Sequence, residues 1–286
     1  MSSTENKEDL PFGETFWKEE GGDKWVENID LLERQLGPLT EILMQRCAVS
    51  PGERVLDVGC GGGPTSITLA EQVGASGHVL GVDISETILE VAKQRGEGIS
   101  NLAFRVADSG REDLEYGAYD LVFSRFGVMF FGRPLDAFRN LRGHLRPDGR
   151  MVFMCWRTLE ENPWMTVPAE AAFTVLPRPE PPAEEPDPDA PGPFSLGQRE
   201  RLEYLLIAAG FRAIHLEAVD TGMQMGNLDE AGHMATQLGP AAKVIQEADE
   251  KEQQAAVAAI KKALREYETR GGVIVPSAAW IATAGI

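Results

Sequence analysis

The sequence predicts an α/β fold in which a mostly parallel sheet carries helices on both faces. Between Arg54 and Trp156, short apolar stretches alternate with stretches of helical spacing, which is typical of βαβ units. The first apolar stretch also runs into a glycine-rich turn and out into a helix, "VLDVGCGGGPTSITLA" (Val55–Ala70). Such a turn presents backbone N–H groups and a helix N-terminus to a ligand.

The segment before this turn is predicted to be helical. Residues 1–15 are polar and predict no regular structure, whereas residues 23–47 place Trp25, Ile29 and Leu32 on one helical face. Pro38 predicts the start of a second helix. We assign residues 1–48 as a helical lid segment and residues 49–286 as the main domain.

Five strands and three helices follow in order. The predicted strands are "ERVLDVG", "GHVLGVD", "LAFRVAD", "YDLVFSRF" and "RMVFMCW", the last preceded by a turn at "RPDG". The predicted helices are "PTSITLAEQVG", "SETILEVAKQRG" with Ser85 as N-cap, and "RPLDAFRNLRGHL".

The pattern changes after Trp156. An insertion at about 157–194 is rich in proline and carboxylates and predicts a loop. The insertion is followed by a helix that begins at Ser195 and by a sixth strand, "FRAIHLEAVD". After them come a helical cap at about 221–272 and a last apolar stretch, "VIVPSAAWIATA". If the sixth strand is parallel and the seventh antiparallel, both insertions overhang the carboxyl edge, where ligands bind in open α/β sheets.

The composition excludes several classes of function. The net charge of −18 argues against a nucleic-acid substrate, because proteins that grip phosphate backbones normally carry a basic face. The three cysteines are far apart, so neither a metal site nor a disulfide framework is expected. The N-terminus lacks the features of a signal peptide, and no apolar run is long enough to span a bilayer. We expect a soluble cytoplasmic protein.

The glycine loop itself narrows the choice of ligand. Gly59 and Gly61 fill the first two positions of a dinucleotide fingerprint, but Pro64 stands at the third. The loop has no lysine, which a phosphate-binding loop would need. An acidic residue, Asp57, stands two positions before the first glycine and suits a cationic amino-acid ligand, directly or through water. The glycines allow the main chain to lie close to that ligand.

Two further carboxylates end the next two predicted strands. Asp83 is placed to accept both hydroxyls of a ribose, and Asp108 to accept a hydrogen bond from an adenine amino group. A single such carboxylate could equally be a helix cap. Three at successive strand ends, together with the glycine loop, favour a nucleoside-bearing ligand.

With these residues the sequence resembles the class I S-adenosylmethionine-dependent methyltransferases. The matching segments are "VLDVGCGGG", "GVDISETILEVAKQR", "VADS" and "LRPDGRMVF", and the second of them is particularly similar to the ubiquinone/menaquinone-biosynthesis-like small-molecule branch. The resemblance implies a Rossmann-like, doubly wound, seven-stranded sheet whose last strand is antiparallel. It also implies S-adenosyl-L-methionine as cofactor, S-adenosyl-L-homocysteine as product and no metal.

The resemblance also implies which residues bind the cofactor. They are Asp57, Gly59, Gly61, Asp83, Ile84, Asp108, Ser109, Ser124 and Phe126. We add Trp25, since Trp17 and Trp25 either belong to a lid over the cofactor or fix the N-terminal helices.

The acceptor is expected near the ends of the fourth and fifth strands. Candidate residues are Arg125, Met129, Phe130, Trp156 and Trp164. Core packing is the alternative role for Met129 and the aromatic residues. His233 in the cap is the candidate catalytic base, with an exposed helix surface as the alternative.

The predicted function is methyl transfer to O, N or C of a small, fairly apolar metabolite. The sequence after the fourth strand, "SRFGVMFF", differs from the motif of relatives that methylate amide or exocyclic nitrogens. The alternatives are an NAD-dependent oxidoreductase and a non-catalytic S-adenosylmethionine-binding module. The sequence is also compatible with a homodimer.

Overall fold

The computed structural model describes residues 12–180 and 187–286. Parts of two predicted irregular stretches, residues 1–11 and 181–186, lie outside the described residues. The strands are β1 (Arg54–Val58), β2 (His78–Asp83), β3 (Leu102–Val106), β4 (Tyr119–Arg125), β5 (Leu145–Trp156), β6 (Arg212–Gln224), β7 (Glu268–Thr269) and β8 (Gly272–Gly285).

Helices occur before, between and after these strands. They are α1 (Glu14–Lys18), α2 (Glu20–Glu27), α3 (Ile29–Cys47), α4 (Pro64–Val73), α5 (Glu86–Arg95), α6 (Pro134–His144), α7 (Pro163–Ala172), α8 (Arg199–Ala208), α9 (Leu228–Gln237), α10 (Ala242–Glu247) and α11 (Glu250–Leu264). We refer to α9, α10 and α11 together as the cap helices.

Seven strands form the main sheet in the order β3-β2-β1-β4-β5-β8-β6, and the two-residue β7 pairs with β8. Pairing is parallel from β3 to β5, and β8 runs antiparallel to both β5 and β6. The predicted doubly wound, seven-stranded sheet with an antiparallel last strand is confirmed.

The order of the strands creates one crevice. From β1 the chain moves outward through β2 and β3, then returns to the other side of β1 with β4 and β5. The loops after β1 and β4 therefore diverge at neighbouring strand ends, and open α/β sheets bind ligands at such a point.

The central strands are buried because helices pack along the sheet. Val55, Leu56 and Phe123 are fully buried, as expected for strands covered on both sides. Helices α4 and α5 contact β1–β3, α6 contacts β4 and β5, and α3 contacts β4–β6. The sheet is thereby a rigid base for the loops at its carboxyl edge.

Two local predictions about helix and strand boundaries were wrong. Pro38 lies inside α3, and the chain instead breaks at Asn28, where α2 ends. The apolar face of α3, with Leu36, Leu39 and Leu43 buried, outweighs the one backbone hydrogen bond that proline removes. The predicted "RPDG" turn is instead an irregularity within β5, where residues 146–149 oppose the single residue Asp120 of β4.

The insertion after β5 also differs from the prediction. It contains α7, which precedes the proline- and acid-rich stretch. Ser195 does not open the next helix, which starts at Arg199. The Ser195 hydroxyl instead donates a hydrogen bond to the carbonyl of Met129 at 2.7 Å. This bond ties the insertion to the loop after β4.

Within the two described ranges, no helix combines the length and apolar character needed to cross a membrane.

Candidate active site

A large cavity lies at the carboxyl ends of β1 to β5. Its volume is about 1290 Å³, whereas pockets for one small molecule usually measure roughly 300–1,000 Å³. Residues of α1, α2 and α3 line one side, and residues of α7 and α10 line another. The cavity has room for two small ligands side by side.

The loop after β1 forms part of the cavity floor. Gly59, Gly61 and Gly63 all have left-handed backbone, with φ of 65°, 57° and 84°. A Cβ on Gly59 would stand 2.8 Å from Cα of Gly127, so this loop needs glycine to pass the loop after β4. Gly59 and Gly61 line the cavity, whereas a Cβ on Gly63 would meet Phe104 at 3.0 Å. Gly63 therefore serves packing between elements.

Asp83 lines the cavity at the end of β2, beside Ile84. Its two carboxylate oxygens accept hydrogen bonds from the backbone N–H groups of Gly61 and Ser85, each at 3.0 Å. Burial raises the pKa of this carboxyl, and the backbone donors oppose that shift. The two N–H groups fix the orientation of the carboxylate and leave lone pairs for hydroxyl donors of a ligand.

Asp57 and Ser124 lie behind the cavity wall rather than on it. The Asp57 side chain is fully buried and accepts hydrogen bonds from Thr65 Oγ1 at 2.7 Å and Ser66 Oγ at 2.6 Å. Burial raises its pKa to about 6. Ser124 Oγ donates to the carbonyl of Val58 at 2.8 Å. Neither side chain is exposed to the cavity, so the predicted place of Ser124 in the pocket lining does not fit, and of the two predicted modes for Asp57 direct ligand contact does not fit.

Asp108 and Ser109 line the cavity after β3. One oxygen of Asp108 accepts a hydrogen bond from the N–H of Gly110 at 2.8 Å, and the other forms an ion pair with Arg111. Arg111 also pairs with Glu14 of α1. This chain of charges connects the N-terminal helix to the predicted adenine end of the site.

Three aromatic rings pack in series at the ends of β4 and β5. Phe126 stacks on Trp156 with ring centroids 4.2 Å apart, and Trp156 contacts Trp164 at 5.0 Å. The backbone of Phe126 is left-handed, with φ of 60°, which turns its ring toward the crevice. The Trp164 indole N–H donates to Asn162 Oδ1 at 2.9 Å, which fixes the third ring.

A second aromatic group closes the cavity from the N-terminal side. Trp17 packs edge-to-face on Phe130 at 4.8 Å and on Trp25 at 6.0 Å. The Trp25 indole nitrogen lies 3.8 Å from where a Cβ on Gly61 would stand. Trp25 and Phe130 therefore line the cavity together with the glycine loop, as does Met129.

Arg125 differs from the other cations that line the cavity. Its Nη1 donates to Thr40 Oγ1 at 2.9 Å, and burial lowers its pKa while the charge of Asp57 opposes that shift. Among the described residues, Arg125 forms no ion pair. The other lining cations each pair with a carboxylate, namely Lys24, Arg111, Arg133 and Lys243.

His233 does not belong to this group of residues. It is exposed on α9 and does not line the cavity. A base must reach the proton that it removes, so the prediction of His233 as the catalytic base does not fit the structure. Its neighbours on the helix, Met234 and Ala235, are the buried ones.

The residues that form this site lie within a recognisable domain. Residues 49–178, which include β1 to β5 and the glycine loop, match a family model described as a methyltransferase domain. Residues 49–178 form a class I methyltransferase domain.

Several curated relatives match part of the chain. Demethylmenaquinone methyltransferase from Staphylococcus epidermidis is 33% identical over 110 residues, which are 38% of this chain and 46% of that protein. The chain spans less than half the length of the curated relatives that match it first.

Solved structures share the fold over most of this chain. Phosphoethanolamine N-methyltransferase 2 from Haemonchus contortus, in complex with S-adenosyl-L-methionine, has a TM-score of 0.59 at 18% identity, covering 96% of this chain and 60% of that one. The [4+2]-cyclase SpnF has a TM-score of 0.50 at 18% identity, covering 87% of this chain and 80% of that one. At such identities the likeness shows the fold alone, and the fold does not fix the reaction.

Three residues that shape the site were not predicted from the sequence. Gly127 permits the close approach to Gly59, and Asn162 fixes Trp164 and also bonds both backbone groups of Ala278. Gln35 is buried on α3 and lines the cavity. Only Gly127 carried a signal, as a glycine two residues after the end of a strand.

The described residues contain no cluster of three or more histidine, cysteine, aspartate or glutamate side chains that could hold a metal ion. Cys60 follows Gly59 directly, but it is buried and its pKa is raised well above the ordinary value by that burial.

Proposed function

We propose that the protein is an S-adenosylmethionine-dependent methyltransferase that methylates O, N or C of a small, fairly apolar metabolite. The observation that carries this proposal is the shared cavity. The glycine loop and the Asp83 carboxylate open into the same space as the aromatic residues after β4 and β5. A nucleoside-binding end and an apolar end thus adjoin, as methyl transfer between two bound molecules requires.

The described residues fit the proposed cofactor. Gly61 leaves space beside Trp25 where a side chain would stand, and Gly59 allows the loop to pass close to Gly127. Asp83 offers a carboxylate, already oriented by two backbone N–H groups, to the ribose hydroxyls. Asp108, with Ile84 and Ser109 beside the same space, would receive the adenine.

We assign Asp57 a positioning and electrostatic role. Its Oδ1 has no hydrogen-bond partner, while Oδ2 holds Thr65 and Ser66 at the start of α4. When ionised, this buried carboxylate lowers the electrostatic energy of a positive charge in the crevice. A cationic ligand is therefore favoured over its neutral product.

When bound, S-adenosylmethionine supplies a methyl group that is already activated on a sulfonium sulfur. The chain's own residues then have three tasks: to orient the acceptor, to exclude water and to hold the acceptor's charge. Trp17, Phe130 and Trp25 cover the cavity from the N-terminal side, and a dry site strengthens the electrostatic interactions inside it. Arg125, which has no carboxylate partner among the described residues, would stabilise a developing or existing negative charge on the acceptor.

A base is needed only where the acceptor must lose a proton. With His233 outside the cavity, the proposal assigns no base. Acceptors that are anionic or uncharged nucleophiles at neutral pH fit the lining best.

The two alternative functions, an oxidoreductase and a non-catalytic binding module, predict different residues or a different activity. The fingerprint of a dinucleotide-binding oxidoreductase requires a third glycine at the position that Pro64 occupies. A non-catalytic module would bind the cofactor without turning it over, and a transfer assay separates it from an enzyme.

The experiment uses the purified full chain with methyl-labelled S-adenosylmethionine and a metabolite extract separated by polarity. The proposal expects label in an apolar small-molecule fraction, and Asp83→Asn should lower the rate strongly. Asp148→Asn, an exposed change at the other end of the sheet, is the charge-matched control. Cofactor binding with no labelled fraction would favour the non-catalytic module.

A further inference from the structure

Arg125 is a cation that opens into the cavity. It is the last residue of β4, it lines the cavity, and its side chain is only partly buried. Its Nη1 donates to Thr40 Oγ1 at 2.9 Å, while Asp57 and Glu33 act on it only through space. None of its nitrogens is among the buried side-chain atoms that lack a partner within the described residues. The N–H groups that Thr40 does not engage are therefore accessible from the cavity.

No group that bonds to Arg125 within the described ranges neutralises its charge. Thr40 is uncharged, and its hydroxyl donates in turn to the carbonyl of Leu36 at 2.8 Å, which fixes the hydroxyl that the guanidinium contacts. The other cations that line the cavity each pair with a carboxylate. A charge that is partly removed from water needs a counter-charge or further hydrogen bonds. One such cation suits a ligand group with a single negative charge better than a dianion.

Thr40 holds the guanidinium on the acceptor side of the cavity. It belongs to α3, which contacts β4, β5 and β6. Asp83, which marks the proposed nucleoside end, lies at the end of β2 on the other side of β1. Gly127, two residues after Arg125, meets the glycine loop at Gly59. Arg125 therefore lies where the proposed cofactor and the proposed acceptor adjoin.

The other side chains beside Arg125 in the cavity wall are apolar. Phe126 and Trp156 stack at the ends of β4 and β5, and Met129 lies in the turn that follows. The planar guanidinium of arginine matches the two oxygens of a carboxylate, which can accept two parallel N–H bonds. An apolar molecule that ends in a carboxylate fits both parts of this surface. An alcohol or an amine would leave the guanidinium without a counter-charge.

We propose that Arg125 binds the carboxylate of an apolar carboxylic acid and that this carboxylate accepts the methyl group. The inference rests on the proposed function, since it names the acceptor of the same site. One carboxylate oxygen attacks the methyl carbon, a C–O bond forms, and the C–S bond breaks with its electron pair left on the sulfur. The products are a neutral methyl ester and a neutral sulfide. A carboxylate is already ionised at neutral pH, so no proton is removed and no base is needed.

The first test uses two matched pairs of probes, octanoic acid with octanamide and phenylacetic acid with phenylacetamide. Calorimetry with saturating S-adenosylhomocysteine gives their affinities for the wild type, Arg125→Gln and Arg139→Gln. Arg139 is exposed on α6 and outside the cavity lining, so it is the matched control. We expect the wild type and Arg139→Gln to bind at least one acid about ten- to 100-fold more tightly than its amide, the range of hydrogen bonds to a charged group. Arg125→Gln should bring that ratio close to one.

The second test identifies the methylated atom in the labelled product from the metabolite extract. Alkali hydrolyses a methyl ester and releases methanol, whereas methyl groups on nitrogen, on carbon or on an ether oxygen stay in place. We expect the label to be released as methanol. Arg125→Gln should lower the rate of transfer by about tenfold or more, and Arg139→Gln should leave it unchanged.

The outcomes separate this inference from the proposed function. If S-adenosylhomocysteine does not bind the wild type, or if no label is transferred, the proposed function fails. If label is transferred but resists alkali, or if the wild type binds neither acid more tightly than its amide, the carboxylic acid acceptor is overturned while the proposed function stands. The same holds if Arg125→Gln keeps the preference for the acid.

The affinity of the variant for the cofactor product checks the assignment of Arg125 itself. We expect all three proteins to bind S-adenosylhomocysteine equally well, which also verifies that the variants are folded. If Arg125→Gln keeps the melting temperature of the wild type but loses this affinity, Arg125 binds the carboxylate of the cofactor instead and the inference is overturned. If the variant does not fold, the probe preference of the wild type and the alkali test still decide.

Discussion

Asp57 illustrates how burial at a single residue links stability to pH. Its side chain is fully buried, and that burial raises its pKa from 3.8 to about 6. Between pH 4 and pH 6 the folded protein therefore binds a proton that the unfolded chain does not. Asp57 thus lowers the free energy of unfolding progressively as the pH rises through this window.

We predict that Asp57→Asn removes this pH dependence. The asparagine oxygen can still accept the hydroxyl bonds of Thr65 and Ser66, but the group no longer titrates. The unfolding free energy of the variant minus that of the wild type should grow by about 3 kcal/mol between pH 4 and pH 8, from a shift of about two pKa units. Urea denaturation across this range measures it, and parallel curves for the two proteins would contradict the assignment.

A second residue-scale prediction concerns Gly59. Gly59 and Gly117 both have left-handed backbone, with φ of 65° and 69°, but only at Gly59 would a Cβ meet another backbone atom, at 2.8 Å. Gly117→Ala should cost about 1 kcal/mol, the strain of a left-handed alanine, and Gly59→Ala about 3 kcal/mol. Denaturation midpoints measure both. Equal costs would mean that the contact with Gly127 is not what requires glycine.

At the scale of elements, we propose that α1 and α2 act as a lid over the proposed cofactor end. The Glu14–Arg111 ion pair and the packing of Trp17 on Phe130 connect these helices to the loops after β3 and β4. More than half of the Arg111 side chain is exposed, so salt should screen this pair.

We predict that Glu14→Gln speeds the release of S-adenosylhomocysteine by up to about fivefold at low salt, the upper range for an exposed ion pair. Stopped-flow tryptophan fluorescence measures the release rate. The wild-type rate should rise toward that of the variant as sodium chloride increases, while Glu90→Gln, at a surface pair on α5, leaves it unchanged. If the wild-type release rate does not change with the sodium chloride concentration, the role of the Glu14–Arg111 pair in the lid is contradicted.

The elements could be predicted where local pattern and tertiary packing agree. The strands around the glycine loop and the helix capped by Ser85 follow from the sequence, because apolar runs and an N-cap signal coincide there. The helix across Pro38 could not be predicted, since its stability comes from contacts of Leu39 and Leu43 with the distant core. Helix α7 was missed because the proline and carboxylate content of the insertion at about 157–194 predicted a loop.

Site residues could be predicted from the sequence where they lie at the end of a strand or directly after it. Asp83, Phe126 and Trp156 line the cavity because the sheet brings strand ends together. Asp57 and Ser124 also stand near strand ends, but alternation along the strand turns their side chains away from the cavity. Gln35 lies on helix α3 rather than at a strand end, so only the tertiary fold could reveal its place in the site.

At the scale of the whole molecule, the sheet positions the loops at its carboxyl edge, and the N-terminal helices, α7 and α10 enclose the cavity above them. The matched methyltransferase domain ends at residue 178, yet α10 and the loop after α9 also line the cavity. The parts of the chain outside the shared domain therefore shape the acceptor end. This division explains why the comparisons support the cofactor more strongly than the acceptor.

The most direct test of the central claim is isothermal titration calorimetry of the full chain with S-adenosylmethionine, S-adenosylhomocysteine and NAD, comparing wild type with Asp83→Asn. We predict micromolar binding of both sulfur ligands, no binding of NAD, and about 100-fold weaker binding to the variant, from the loss of charge-assisted hydrogen bonds to two hydroxyls. Asp148→Asn should bind like the wild type. Binding of NAD alone, or equal affinity of Asp83→Asn and wild type for the sulfur ligands, would contradict the account.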